Sequence, residues 1–340
     1  MKTIFIVEDN MMILEHARRV LESQYVLKAF TNAEEMHKTL TKEVPDLFLL
    51  SVEAPALDGF KTIIELKANE RTSKIPVMFM SATRNADIEA GGMEYGAVDF
   101  VTKPFSASVI LNRIAHHLHI EALLKKRTER LAKLQDGILE VVVDMVESRD
   151  KIMGGHVERT SQYIRVLLES MVEHGLYAKD MAGWDIDMVV SATRLHDIGK
   201  IAVSEAILNK PDRLTNEEFD EMKKHAAEGE HIVEKIMEKT GEEAFLKHAM
   251  LFAGCHHEKW NGTGYPRGLK QEEIPLQGRM MAIADVYDAL VSVRPYKIPM
   301  SHAEAVQVIL DDAGKHFDPN ITDIFGLAAQ RFEEISLRAK

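Results

Sequence analysis

Leu195-His196-Asp197-Ile198-Gly199-Lys200 is the stretch that decides the second half of this chain. Its two ionisable residues interrupt an apolar run at the end of a predicted helix. An unpaired carboxylate is costly to bury in such a setting, so a partner is expected close by, and a metal ion is the expected one. Outward from this pair, more histidines and a second aspartate stand in similarly apolar surroundings. His225 falls on the apolar face of a predicted helix after Thr215, together with Phe219, Met222, Ala226, Gly229, Ile232, Val233 and Ile236. His256 and His257 close the apolar helix Ala249 to Ala253, just before a glycine-rich loop. Asp285 lies inside the very apolar run Met280 to Val293, and His156 opens a helix after Gly154-Gly155. Any one of these has a simple explanation as a core residue bonded to a carbonyl; together they point to one metal cluster.

Imidazoles and carboxylates without thiolates suit divalent Fe, Mn, Ni, Co or Zn. Adjacent helical residues project about 100° apart. A carboxylate placed there can bridge two ions while its neighbour binds one, and two ions sharing a carboxylate can hold a hydroxide for in-line attack on a phosphodiester.

The frame around this centre is that of an ordinary globular protein. Its 340 residues suggest roughly two domains. A net charge of -12 excludes a general DNA binder, since no global positive field draws in phosphate backbones. The single cysteine, Cys255, rules out an internal disulfide and fits a reducing compartment. No apolar run approaches the ~20 residues of a membrane span, and Ile4 to Val7 leads straight into Glu8 and Asp9 instead of a cleavage site. The expected location is cytoplasmic.

From residue 1 to about 120, short apolar runs at Ile4 to Val7, Leu47 to Leu50, Val77 to Met80 and Phe100 to Val101 alternate with amphipathic segments. That order predicts a doubly wound parallel sheet with its functional residues beyond the carboxyl ends of the strands. Those ends carry Glu8-Asp9, Ser51, Ser81 and Lys103-Pro104. The segment resembles the receiver domain of bacterial response regulators, which implies a flavodoxin-like α/β fold with a five-stranded parallel sheet. The resemblance implies that Glu8 and Asp9 hold Mg²⁺, Ser81 senses a phosphoryl group and Lys103 pairs with it. Ser51 departs from the pattern: it stands where the phosphoacceptor aspartate is expected, before the Leu57-Asp58-Gly59 turn. A hydroxyl supplies neither the carboxylate nucleophile nor its charge, so phosphorylation is expected to fail and the domain to serve in dimerisation or partner binding. Glu53 or Asp58 is the alternative acceptor.

Between residues 107 and 150 there is no proline and one glycine, Gly137. Leu124, Leu131, Ile138 and Met145 recur every seven residues, with Leu134 and Val141 between them, which is the pattern of a parallel coiled-coil seam. The alternative is a helix whose stripe packs on its own domains. After residue 150 the pattern is helical throughout, with helices beginning near His156, Trp184, Thr215, Glu242, Gln277, Ser301 and Pro319. Thr215 to Glu218 and Ser301 to Glu304 read as capping boxes. The expected architecture is therefore multidomain: a receiver over 1–120, a connecting helix over 107–150 and an all-α bundle over 140–335.

His196-Asp197-Ile198-Gly199-Lys200, followed by His225, His256-His257, Gly264-Tyr265-Pro266 and Asp285, resembles the HD-GYP family of cyclic di-GMP phosphodiesterases. Leu208-Asn209-Lys210-Pro211, Trp260 to Thr263 and Arg294 to Lys297 extend the match. The resemblance implies an HD-type bundle that hydrolyses cyclic di-GMP to pGpG, in some members onward to GMP. It implies that His156, His196, Asp197 and Asp285 hold one ion, and Asp197, His225, His256 and His257 the other, with Fe or Mn as the foremost candidates. Lys200 would contact the scissile phosphate, and Arg294 and Lys297 the phosphates or guanines. Gly264, Tyr265 and Pro266 would form a loop at the site's border, with Tyr265 offering a stacking face or hydroxyl. Some members bind a third ion through a glutamate four residues before the first ligand histidine. Ile152 stands there, so a dinuclear site is expected. Met153 replaces a small polar residue, and Cys255 reads as a small buried hydrophobe. Alternatives to cyclic di-GMP hydrolysis are a binding adaptor for cyclic di-GMP or for a diguanylate cyclase, and a hydrolase of cyclic GMP-AMP or pGpG.

Overall fold

The computed structural model describes residues 1–53, 59–83, 86–150, 155–293 and 298–338, excepting the side chains of 86–89. The chain forms two compact units, Met1–Leu134 and Gln135–Lys340.

In the first unit the elements run β1 (Thr3–Val7), α1 (Met11–Leu21), β2 (Val26–Phe30), α2 (Ala33–Leu40), β3 (Leu47–Ser51), α3 (Gly59–Ala68), β4 (Val77–Ser81), α4 (Ala86–Glu94), β5 (Asp99–Thr102) and the start of α5 (Ala107–Glu147). The strands pair in the order β2-β1-β3-β4-β5, all parallel. β3 and β4 are buried at every residue, and β1 at all but its first. Their apolar runs are uninterrupted because helices cover both faces. Alternate residues divide between two cores: Ile4, Ile6, Leu47, Leu49, Met78 and Met80 join α1 and α5, whereas Phe5, Val7, Phe48, Leu50, Val77 and Phe79 face α2 and α3. The strand missing from the four apolar runs is β2. It is an edge strand with Lys28 at its centre and mostly half-buried residues, so it lacks a continuous run. Parallel pairing brings Glu8, Ser51, Ser81 and Lys103 to one end of the sheet.

α5 extends over 41 residues. Ile110, Ile114 and Leu118 enter the receiver core, and Leu139, Val143 and Val146 enter the core of the helical unit. Leu124, Leu131, Leu134, Ile138, Val141 and Met145 stay 53–59% exposed, so the predicted seam is packed against neither unit.

The second unit contains α6 (His156–Glu173), α7 (Ile186–Ala192), α8 (Glu205–Leu208), α9 (Asn216–Thr240), α10 (Ala244–Cys255), α11 (Leu276–Val291), α12 (His302–Asp311) and α13 (Pro319–Arg338), with 3-10 segments at Thr193–Leu195, Ile198–Ala202 and Gln271–Glu273. Both capping boxes form, at Thr215 and Ser301. The core is built on Tyr163 stacked on Phe332 at 4.6 Å, edge-on to Tyr287. One expectation needs correction. His196 and Asp197 do not lie on an α-helix; α7 ends at Ala192 and the pair sits between two 3-10 segments. Gly199 explains this course: a Cβ there would meet the His225 carbonyl at 1.9 Å and the Gly229 amide at 2.4 Å. The backbone after Asp197 presses directly onto α9, and only glycine permits that approach. The stripe predicted for α9 is also looser than expected, since Phe219 and Ile236 are exposed. Among the described residues no helix is long and apolar enough to cross a membrane.

Candidate metal centre

Four backbone segments of the helical unit converge on Asp197. His156 comes from the first turn of α6, His225 from the middle of α9, His256 and His257 from the end of α10, and Asp285 from α11. Two groups result, each with ligand atoms within 4.8 Å of one another: His156, His196 and Asp285, and His225, His256 and His257. Asp197 joins them. Its Oδ2 lies 3.4 Å from His196 Nε2, and its Oδ1 lies 3.5 Å from His225 Nε2 and 3.7 Å from His256 Nε2.

The ring nitrogens are oriented by acceptors behind them. Nδ1 of His196 donates to the Thr193 carbonyl at 2.9 Å, that of His225 to Met222 at 2.7 Å and that of His256 to Phe252 and Ala253 at 3.0 Å. His156 Nδ1 meets Asp288 Oδ2 at 2.8 Å. Each ring therefore turns Nε2 inward, the arrangement that outer partners impose on metal-binding histidines. The inward nitrogens crowd: His156 and His196 approach to 3.3 Å, His225 and His256 to 3.2 Å. Asp197 Oδ1 is buried without any hydrogen-bond donor. Lone pairs facing one another around an orphaned carboxylate oxygen need a cation between them, so the donor set fits divalent metal ions of the HD type.

The electrostatics agree at three of the histidines, whereas Asp197 raises His196 against its burial. Burial lowers His225, and burial with neighbouring imidazoles lowers His256 to about 3 and His257 well below its ordinary range, so all three stay neutral and able to ligate. Burial would raise Asp197, but Lys200 and His196 outweigh it and hold the carboxyl well below the usual range. Lys200 is raised against its own burial by Asp197 and Asp150. Its Nζ is 2.9 Å from Asp197 Oδ2 and 3.1 Å from Asp150 Oδ2.

A cavity of about 270 Å³ opens over the centre, lined by Lys200, Tyr265, Asp285 and Met222 among others. Tyr265 leans on His257 with centroids 4.7 Å apart. Gly264 serves close approach in this loop, because a Cβ would meet the Lys259 amide at 2.3 Å. Glu258 holds the loop from below, accepting from the amides of Arg267 at 2.8 Å and Leu269 at 3.0 Å. Cys255 is buried, with its thiol pushed up to about 12 by burial, and takes no place in either ligand group. Arg294, Lys297, Ile152, Met153 and Asp58 lie outside the described residues.

Sequence reasoning missed Asp150 and Asp288. Asp288 bonds His156 and is itself held by Arg159 at 2.6 and 2.9 Å. Its spacing was the available signal, since three residues after Asp285 is the same face of α11. Asp150 follows the connector, and the neighbouring Arg149 donates to the carbonyls of Ile201 at 2.8 Å and Val203 at 3.1 Å.

At the receiver end, Lys103 Nζ donates to Glu8 Oε2 and to Ser51 Oγ, both at 2.9 Å. Asp9, next to Glu8 in the chain, is exposed. Ser81 is joined to it through Glu53, whose Oε1 lies 2.6 Å from Ser81 Oγ.

Fold and site together define a class: a receiver-type α/β unit followed by an HD-type helical unit with a His/Asp centre suited to divalent metals. The HD domain family matches residues 140–321, and the response regulator receiver domain matches residues 4–115. The chain is 37% identical to a probable cyclic di-GMP phosphodiesterase of Vibrio cholerae, over 98% of this chain and 79% of the relative. It is 30% identical to a cyclic di-GMP phosphodiesterase of Thermotoga maritima, over 99% and 93%. A 3'3'-cGAMP-specific phosphodiesterase of Vibrio cholerae is 35% identical over 58% of this chain and 35% of that protein. The chain belongs to the HD-GYP family, in the branch that carries an N-terminal receiver domain.

Proposed function

We propose that this chain is a metal-dependent phosphodiesterase that hydrolyses cyclic di-GMP to pGpG in second-messenger signalling. The observation that carries the proposal is the placement of Asp197 between two histidine groups, with one buried carboxylate oxygen lacking a donor. His156, His196 and Asp285 would hold one divalent ion and His225, His256 and His257 the other, with Asp197 shared. Bound there, two such ions supply a nucleophile from water at neutral pH and neutralise phosphate charge. Fe or Mn comes first on the family resemblance, and the imidazole and carboxylate donors admit Ni, Co and Zn as the alternatives. Ile152 removes the carboxylate that would recruit a third ion, so two ions per chain are expected.

The chain's own groups do the rest. Lys200 carries a positive charge at the cavity wall, restrained between Asp197 and Asp150, and would meet the scissile phosphate. Tyr265 walls the cavity beside His257 and offers its ring to a base. Arg294 and Lys297 are assigned to the substrate's phosphates or guanines on the family motif alone.

The exposed stripe of α5 supports a parallel homodimer, since its heptad spacing is that of a coiled-coil seam and a second copy would cover it. A cytoplasmic location follows from the substrate class and the unpaired Cys255. A diguanylate cyclase or another signalling protein is the expected partner of the receiver.

Turnover of cyclic di-GMP under anaerobic conditions, with Fe and Mn supplied separately and cyclic GMP-AMP and pGpG run in parallel, tests substrate and metal together. Metal-dependent pGpG formation that is lost in Asp197→Ala is the expected result. Binding of cyclic di-GMP without product leaves the adaptor function, and faster turnover of cyclic GMP-AMP reassigns the substrate.

A further inference from the structure

Glu53 lies two residues beyond Ser51, and its carboxylate faces donors from the ends of β4 and β5, although Ser81 Oγ also reaches the Thr83 carbonyl at 2.8 Å. Ser81 Oγ is 2.6 Å from Oε1, the Ala82 amide donates at 2.8 and 2.7 Å to the two oxygens, and Lys103 Nζ stands 3.5 Å from Oε2. A hydroxyl, a backbone amide and an ammonium from the ends of β4 and β5 make an anion site. Burial works against the Glu53 carboxylate, but its bonds from Ser81 and Ala82 and the charge of Lys103 prevail and lower it. Lys103 has acceptors on three sides, since it also reaches Glu8 and Ser51 Oγ at 2.9 Å.

We infer that Glu53 is a built-in ligand of the receiver's anion site, holding in cis the hydroxyl, amide and ammonium that a phosphoryl group on position 51 would otherwise draw together. Ser51 and Glu53 then form one device. The serine gives Lys103 an uncharged acceptor, whereas a carboxylate at 51 would set three acids around one ammonium, at the expense of its bond to Glu53. The ends of β3, β4 and β5 are fixed in one arrangement, and phosphoryl donors have nothing to switch. This property of the first unit is independent of the hydrolase activity proposed for the second.

Two measurements on the intact chain test it. Hydrogen exchange at the Ala82 amide should be at least about tenfold slower in the native protein than in Glu53→Ala, because the carboxylate protects that N–H. Acetyl phosphate with Mg²⁺ should label Ser51→Asp/Glu53→Ala at least about tenfold faster than Ser51→Asp, because Glu53 competes with the phosphoryl group for the same donors. Equal exchange at Ala82 in native protein and Glu53→Ala overturns the inference, and so does equal labelling of the two acceptor variants. Should the Ser51→Asp variants fail to fold, the exchange comparison decides by itself, since both of its chains keep Ser51.

Discussion

The two polar centres of this molecule are built on opposite principles. At the receiver end, Lys103, Glu8, Ser51, Ser81 and Glu53 satisfy one another, and negative charge meets positive charge within the protein. In the HD unit, inward-facing imidazoles crowd to 3.2–3.3 Å and a buried carboxylate oxygen has no donor. The first centre is closed on its own side chains; the second is complete only with something bound. Burial of polar groups is tolerated when they are paired, so an unpaired set marks where a ligand belongs, and a saturated set of the same residue types marks a structural lock.

The contrast is broken most directly at Asp197. Asp197→Ala should lose most bound metal and lower turnover by about 10³-fold or more, checked by elemental analysis beside the anaerobic assay. Metal content near the native value with full activity would remove the special place given to this residue.

Gly199→Ala comes next, because its Cβ would meet the His225 carbonyl at 1.9 Å. It should destabilise the HD unit by about 3 kcal/mol or more, seen as a lower melting transition for that unit while the receiver's transition stays in place. Asp288→Asn should loosen His156 and weaken metal affinity by about 10- to 100-fold, with little change in melting of the metal-free chain. An unchanged affinity would show that Arg159 and α6 hold the imidazole without it.

A smaller effect concerns acid. Burial beside Lys259 lowers His316 to about 4 from the ordinary 6.5. The unfolded chain therefore takes up a proton first, so stability contributed by the neutral ring is present above pH about 6.5 and lost as pH falls toward 4. The slope is at most about 1.4 kcal/mol per pH unit. His316→Gln should flatten urea-unfolding stability against pH in that window; parallel curves for the two proteins would refute it. The smallest effect is predicted at the closed centre: Ser51→Ala should leave cyclic di-GMP turnover within about twofold of native, because a serine hydroxyl offers no carboxylate for an acyl phosphate. A larger change would mean that the hydroxyl on Lys103 governs the output.

Much of this was legible in the residues. Strands buried on both faces announce themselves as apolar runs, which is why β1, β3 and β4 could be read and the half-exposed β2 with Lys28 could not. Capping boxes at Thr215 and Ser301 placed two helix starts, because a cap is a local interaction. Asp288 escaped notice although it is buried, since an arginine and a histidine brought from α6 are what satisfy it. The 3-10 course of 193–202 was equally hidden, because it follows from contact with α9 and not from local propensity.

The sequence by itself determined the two-part architecture, the family and the identity of the candidate metal ligands, because periodicity and residue chemistry are local properties. Only the tertiary structure decided which nitrogen each histidine presents, that Asp288 stands behind His156, and that Glu53 closes the receiver's anion site. Those depend on distances between segments far apart in the chain, and such distances are set by packing.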